Sequence, residues 1–315
     1  MIASDATTSR RSAEGLASRP HWLAWQGWRL PVPREWNVVR IEGDWARGML
    51  LLADLQRPRM GLRWDSLCAA GDVAVAVRSA MSAEVGAATG EKATRVVTGT
   101  DWSCAMLHLE AELPGRDVWI GHSTVSGRIA QLSFPVEARR DRAARELPDN
   151  LADTAESDET AWSILDLSCA APVGWKLASH QLMAGDLRLT FARGSDRLLI
   201  RQIAPARLAL SRQSIDKWIA QHPLDRRRTD RSRGEPASIS AQIHGRTVAG
   251  MRQVWTRGGR GLWRMFRGEW RTSEVTGLHD AERDRLWIIE SPDPIPCGVI
   301  DALGWAEWVH PEAPR

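Results

Sequence analysis

The sequence predicts an α+β fold made twice: two similar domains, each a mainly antiparallel sheet with packed helices. Three observations predict it. First, the stretch Trp28–Trp64 comes back as Leu165–Ile203, with Pro33-x-x-Trp36 and Pro172-x-x-Trp175 lying 139 residues apart. Second, short runs of alternating apolar and polar residues are separated by turn residues, which is the pattern of half-buried strands. Third, Ala-rich or amphipathic runs fall once inside and once at the end of each half. Runs of antiparallel strands with a few helices indicate α+β. A repeat this long indicates two whole domains rather than a solenoid of short units.

The repeated stretch is the anchor. In the first copy, Gly27–Trp36 reads G-W-R-L-P-V-P-R-E-W; a strand at Gly48–Ala53, a turn at Asp54–Pro58 and a strand at Arg59–Trp64 follow. In the second, Asp166–Trp175 reads D-L-S-C-A-A-P-V-G-W, followed by Gly185–Phe191, a turn at Ala192–Asp196 and a strand from Arg197. The starts Gly48 and Gly185 are 137 apart and Arg59 and Arg197 are 138 apart. Near-constant offsets with small slips are what a duplicated domain leaves, because insertions fall in loops.

Taken in order, residues 1–20 are Ser-, Ala- and Arg-rich and read as a disordered tail. Domain one is expected at 21–148. Trp22, Trp25 and Trp28, at a spacing of three, suggest one helical face packed on this domain. Strands follow at Trp28–Pro33 and Trp36–Ile41, then the hairpin. Asp72–Val85 reads as a helix with Asp72 as its cap. Ala93–Thr98, Trp102–Glu110, Arg116–His122 and Gly127–Phe134 read as strands, and Val136–Leu147 as a helix that Pro148 ends. Residues 149–160, D-N-L-A-D-T-A-E-S-D-E-T, read as an acidic linker.

Domain two is expected at 161–315. Strands are expected at Ser163–Ser168 and Trp175–Gln181, then the hairpin. Ser211–Gln221 reads as a helix capped by Ser211, with Leu210, Ile215, Trp218 and Ile219 on one face. A loop is expected over 223–236. Strands follow at Ser238–His244, Thr247–Thr256, Gly261–Phe266, Glu269–Gly277 and Asp284–Glu290, and Cys297–Val309 closes with a helix.

Composition sets outer bounds. With 315 residues, 43% hydrophobic and 26% charged, each half has enough apolar residues for a core. A net charge of +3, from 42 basic and 39 acidic residues, does not by itself point to nucleic acid or membrane. The aromatic set is 17 Trp, 3 Phe and no Tyr. Cys68, Cys104, Cys169 and Cys297 are widely spaced, which suits reduced, buried thiols in a cytoplasmic protein rather than zinc ligands or a disulfide framework. Arg10-Arg11 is followed by no apolar segment of a signal peptide. No apolar run reaches the length of a membrane span.

Several constellations have residue types that can carry chemistry. Cys104 and His108 have the residue types of a nucleophile and its base. In a strand, however, residues four apart are about 13 Å apart, too far for a hydrogen bond. The eight histidines form no ligand spacing, although His108, His122 and His244 could meet across the fold. Asp280-x-Glu282-x-Asp284 lacks the glycine and distal Glu of a calcium loop and reads as a solvated hairpin tip. Two stretches are the candidate binding residues. One is the basic run holding Arg226, Arg227, Arg228, Arg231 and Arg233, for phosphates or an acidic partner. The other interleaves Trp255, Trp263 and Trp270 with Arg264 and Arg267, residue types that can stack on bases or hold an anion. Each also reads blandly, as a solvated loop and as strands with one polar face.

With Pro172-Val173-Gly174-Trp175 and, more loosely, Pro33-Arg34-Glu35-Trp36 opening each copy, the pattern resembles the Mog1/PsbP-like fold, which includes DcrB-like proteins. The Gly99 and Gly245 turns before long strands are similar as well. The resemblance would cover most of the chain, as a tandem duplication. It implies a fold used for binding rather than catalysis, and it carries over no catalytic residue. The first copy departs from the pattern by having Glu35 where the second has Gly174. The expectation is a non-enzymatic protein-interaction module (adaptor, scaffold or chaperone-like) with no cofactor, whose partner is another protein. The alternatives are a binder of polyanions or single-stranded nucleic acid, and an enzyme with an interdomain site.

Overall fold

The computed structural model describes residues 21–66, 92–98, 102–108, 116–135, 137–138, 141–221, 231–243, 246–256 and 270–292. The described residues divide into two compact units, the first up to Ser168 and the second from Cys169. The strands of the first unit are β1 (His21–Trp25), β2 (Trp28–Val32), β3 (Asn37–Gly43), β4 (Arg47–Ala53), β5 (Pro58–Ser66), β6 (Lys92–Thr98), β7 (Trp102–His108), β8 (Arg116–Ser123), β9 (Arg128–Pro135) and β10 (Thr160–Ile164). Helix α1 (Arg142–Asn150) precedes β10, and the division falls within β11 (Leu167–Ala171). The second unit continues with β12 (Lys176–Met183), β13 (Asp186–Arg193), β14 (Asp196–Ile203), α2 (Ala206–Ala209) and α3 (Ile215–Gln221). It ends with β15 (Arg231–Ile243), β16 (Arg246–Thr256), β17 (Trp270–Asp280) and β18 (Arg285–Pro292).

The two seven-stranded sheets repeat one plan. The first has the order β3-β4-β5-β9-β8-β7-β6 and the second β12-β13-β14-β18-β17-β16-β15, the same order strand for strand. The register repeats too. Asn37 pairs with Ala53 and Lys176 with Ala192, each 139 residues on. A bulge lies between Val38 and Arg40 in the first sheet and between Leu177 and Ser179 in the second. Past the next turn the offset becomes 138, because the first sheet has a bulge at Arg59 that the second lacks: Ala53 faces Pro58 and Ala192 faces Arg197, but then Leu52 faces Met60 and Phe191 faces Leu198. Gly61 opposite Ser133 corresponds to Leu199 opposite Glu290. Gly48 therefore matches Leu187, not Gly185.

A four-stranded sheet of order β11-β10-β1-β2 comes from two further hairpins. In β1–β2, Trp25 pairs with Trp28 across Gln26 and Gly27, whose φ values are 50° and 85°. Two positive φ angles make this a type I′ turn, whose twist matches the strands. The three-residue spacing of Trp22, Trp25 and Trp28 is thus strand–turn–strand and not a helical face; Trp25 and Trp28 are both buried. The strand expected at Ser163–Ser168 is likewise the hairpin β10–β11, turning at Leu165 with φ of 53°.

The α+β class expected from the pattern is overturned. The described chain is mostly antiparallel strand, in three sheets, with three short helices. The strands are longer than the punctuation suggested: β15 runs for 13 residues and takes in Arg231–Pro236, where a loop was expected. It accommodates Pro236 through a register shift between Arg233 and Ala237, on an edge strand where proline costs least. The helix expected at Val136–Leu147 is α1, displaced to Arg142–Asn150 with Pro148 inside it. Helix α3 starts later than expected: Ser214 accepts the Trp218 amide at 3.0 Å, while the Ser211 hydroxyl bonds Leu208 O at 2.9 Å. The helices expected at Asp72–Val85 and Cys297–Val309, the strand at Gly261–Phe266 and the tail at 1–20 lie outside the described residues.

Each sheet buries one face through alternation. In the first, Leu50, Leu52, Met60, Leu62, Trp64, Leu132 and Phe134 are all nearly inaccessible, while the residues between them are half-exposed. In the second, Leu189, Phe191, Leu198 and Ile200 do the same. The opposite face of the second sheet is covered by α2 and α3, through a cluster of Leu199, Ala206, Trp218, Ile219, Val275, Leu286 and Ile288.

Candidate binding cleft

The two sheets differ where their shared plan puts side chains on that opposite face. In the second sheet Leu199 and Ile288 sit there, 2% and 0% exposed, under α3. Strand register puts Gly61 and Gln131 at the matching places of the first sheet. The residue matching buried Glu290 is Ser133, and Met49 stands where the second sheet has Arg188. Small and polar residues replace bulky ones at the centre of the face, and a cleft of about 700 Å³ results. That is within the size range of ligand pockets.

The floor is two cross-strand rows over β4, β5 and β9: Leu51–Gly61–Ser133 and Met49–Arg63–Gln131. A Cβ at Gly61 would stand 2.7 Å from Ser133 Oγ, so glycine keeps this row at backbone height. Arg57, Pro58, Pro135 and Glu137 form the rim. Arg57 is placed by the turn in which the Asp54 carboxylate accepts the backbone amides of Gln56 at 2.8 Å and Arg57 at 2.9 Å. Asp54 also holds the Arg59 guanidinium by an ion pair. These two amides, then Arg59, hold the Asp54 carboxyl down at about 2. The cleft thus presents guanidinium donors, an amide, a hydroxyl and apolar walls.

Elsewhere in the first unit lies a fully buried charged cluster with a structural role. Arg128 of β9 is 1% exposed and its guanidinium is stacked between the Trp28 ring at 4.7 Å and the Trp45 ring at 4.3 Å. It donates to Gln26 O and Trp45 O, each at 2.8 Å, and to Ser126 Oγ at 3.0 Å. Its ion-pair partner is Asp153, 3% exposed, which also accepts from Ser126 Oγ and from the Thr154 amide. Asp153 lies within the acidic stretch 149–160, and its neighbour Leu151 is buried as well.

The remaining titratable candidates are absorbed by structure. Asp280 caps its own turn, accepting the amides of Glu282 at 2.9 Å and Arg283 at 3.1 Å. Asp284 caps α2 through the Arg207 amide at 2.7 Å. Cys169 is fully buried, and desolvation pushes its thiol far above the usual range, away from a reactive thiolate. Burial also lowers His122. Cys104 and His108 lie on β7, opposite Val97 and Lys92, as a strand requires. No group of three His, Cys, Asp or Glu placed to hold a metal ion occurs among the described residues. His244 lies outside them.

Of the residues singled out from the sequence, Arg226, Arg227, Arg228, Trp263, Arg264 and Arg267 lie outside the described residues. The other four come to one end of β15, β16 and β17. Arg231 faces Thr256, which faces Trp270; Arg233 faces Val254; and Ser232 faces Trp255, which faces Arg271. Nearby, Arg252 is paired with Glu274 at 2.5 Å. The cleft itself was not foreseen. Its signal was in the sequence: Gly61 against Leu199, and Gln131 against Ile288.

The sequence matches no protein-family model and no curated protein. The functional reading therefore starts from this cleft. No helix among the described residues is long and apolar enough to cross a membrane.

Proposed function

We propose that this chain is a non-enzymatic protein-interaction module, an adaptor, scaffold or chaperone-like protein, and that the cleft on its first sheet holds an extended segment of the partner. One observation supports the reading: where the second sheet is filled by Leu199 and Ile288, the first is opened by Gly61 and Gln131. A duplicated plan that keeps one copy closed and opens the other has used the spare copy for binding. Strand-level floors flanked by polar groups suit extended peptides. A cytoplasmic setting belongs to the same reading, motivated by the widely spaced cysteines.

The test is to close the cleft with the second sheet's residues, Gly61→Leu and Gln131→Ile together. Affinity capture from native lysate with nuclease is then compared for wild type and variant. The reading expects a stoichiometric protein recovered by wild type and lost by a variant whose circular dichroism is unchanged. Equal recovery by both would defeat it.

A second reading rests on the register that gathers Arg231, Arg233, Trp255 and Trp270 at one end of three neighbouring strands. It takes the chain as a binder of a polyanion or single-stranded nucleic acid, with Arg226–Arg228 as further contacts. Such binding weakens steeply with salt. Oligonucleotide affinity that is insensitive to salt, or to Ala at Arg226, Arg227 and Arg228, would exclude it.

A further inference from the structure

We infer that the second sheet carries an oxyanion site of its own, where Arg188, with Arg201 beside it, holds a carboxylate or phosphate group. It lies on β12, β13 and β14 and does not depend on the cleft of the first sheet. Arg188 of β13 pairs across the ladders with Gln181 of β12 on one side and with Arg201 of β14 on the other. Two guanidinium side chains thus stand directly opposite each other on one face, where like charges destabilise a sheet. One carboxylate is close: Asp186, two residues from Arg188 on the same strand. Both of its oxygens go to Arg201, from Nε at 2.7 Å and from Nη2 at 2.8 Å. Gln181 Nε2 adds a longer contact to Asp186 at 3.4 Å. Arg188 forms no ion pair among the described residues, and its Nε is buried there without an acceptor.

The repeat shows that this imbalance belongs to the second copy. The matching row of the first sheet opens with Glu42 and Met49, where the second has Gln181 and Arg188. The second copy has lost a carboxylate at one position and gained a cation at the next. The other carboxylate of this face, Glu290, is buried on β18, two strand spacings from Arg188, roughly 10 Å at the backbone. Arg188 itself is half-buried. With its inner edge dry, the effective dielectric around the guanidinium is low, and an anion on its outer edge is attracted more strongly than at an open surface. A guanidinium edge presents paired N–H groups that match two oxygens of a carboxylate or phosphate. The Nη1 group of Arg201, not used on Asp186, lies in the same row, and the facing pair Ser179 and Thr190 puts two hydroxyls in the next. A cationic ligand would meet two guanidiniums there, and an apolar one would leave Arg188 uncompensated.

The experiment follows thermal unfolding of the full chain in sodium chloride, sodium acetate and sodium phosphate at one pH and ionic strength, for wild type, Arg188→Met and Arg188→Lys. Methionine is what the first sheet carries at this place, and lysine keeps the charge without the fork. A ligand of the folded state raises the midpoint with its concentration, which yields an apparent affinity. Phosphate also stabilises proteins by exclusion from their surface, so the deciding quantity is the difference between wild type and variant. Acetate or phosphate is expected to raise the wild-type midpoint above that in chloride. The apparent affinity is expected to fall about tenfold or more in Arg188→Met, the loss of a charge-assisted contact, and by less in Arg188→Lys. A response to phosphate alone assigns a phosphoryl group, and a response to acetate alone a carboxylate. Neither anion exceeding chloride, or Arg188→Met responding as wild type does, would overturn the inference. If Arg188→Met does not fold, Arg188→Lys decides: an affinity equal to wild type overturns it.

Discussion

Ala24 of β1 is paired across an antiparallel ladder with Ser163 of β10, and the two hold the same place in the repeated plan, 139 residues apart. Both strands lie in the first unit. The junction is closed by the Ser163 hydroxyl, which donates to Trp22 O at 2.7 Å, and by Trp25 and Trp162, whose rings meet edge to face at 5.0 Å and 83°. Trp162 is 1% exposed. Trp162→Ala is expected to cost about 3–5 kcal/mol, the usual range for emptying a buried Trp site. A chemical-denaturation midpoint unchanged from wild type would show that this junction adds nothing to stability.

The Arg128–Asp153 pair should be far more sensitive to losing one member than to losing both. Removing one partner of a buried pair leaves an uncompensated charge and costs about 3–5 kcal/mol, whereas apolar replacement of both is often near neutral. Asp153→Ala is therefore expected to destabilise strongly, and Arg128→Met with Asp153→Leu to recover much of the loss. Gly27→Ala belongs with the severe class. Its φ of +85° is unfavourable for alanine, and a Cβ there would stand 2.5 Å from the Trp45 ring and 2.9 Å from the Arg128 guanidinium. Urea midpoints of the three variants would rank them, and a double variant worse than Asp153→Ala would refute the argument.

The turns between β4 and β5 predict a pH dependence. Asp54 titrates at about 2 in the folded protein, held there by the amides of Gln56 and Arg57 and then by Arg59. An unfolded aspartate titrates at about 3.9. A folded value below the unfolded one means the contribution is present above about 4 and is lost as pH falls toward 2. The destabilisation caused by Asp54→Ala should accordingly be constant near neutrality and shrink between pH 4 and pH 2. Denaturation of both proteins across that window checks it; a difference that persists at pH 2 would contradict it.

The strand plan was legible because alternation and turn residues act locally: β6, β7, β8 and β9 lie within two residues of their expected bounds at both ends. The α+β class failed for an equally local reason. Three tryptophans at a spacing of three satisfy a helical face, yet Gln26-Gly27 at the centre of the run is a hairpin signal that the spacing concealed. The candidate site failed differently. A cleft formed by what is missing, Gly61 and Gln131, emits no motif, while dense arginine and tryptophan runs do. Only the strand register of the two copies exposes the omission, and that register slips from 139 to 138 at a bulge on β5 that the sequence alone does not mark.

That slip has a companion at the Pro-x-x-Trp turns, where the copies diverge in backbone as well as in sequence. Both turns close with the Trp amide on the Pro carbonyl, at 3.0 Å for Trp36 to Pro33 and 3.1 Å for Trp175 to Pro172. In the second, Gly174 has φ of +82° at the third position, the mark of a type II turn. Glu35 is not among the residues of positive φ, so the first turn is of another type with the same closing bond. The two positions should therefore respond unequally to exchange. Gly174→Glu forces a charged L-residue into the left-handed region and is expected to cost about 1 kcal/mol or more, lowering the midpoint of the second unit. Glu35→Gly strains nothing and is expected to lose only a few tenths to about 1 kcal/mol through the freer unfolded chain. Equal losses from the two substitutions would mean that the turns share one conformation and that the glycine of the second copy is not there for its backbone.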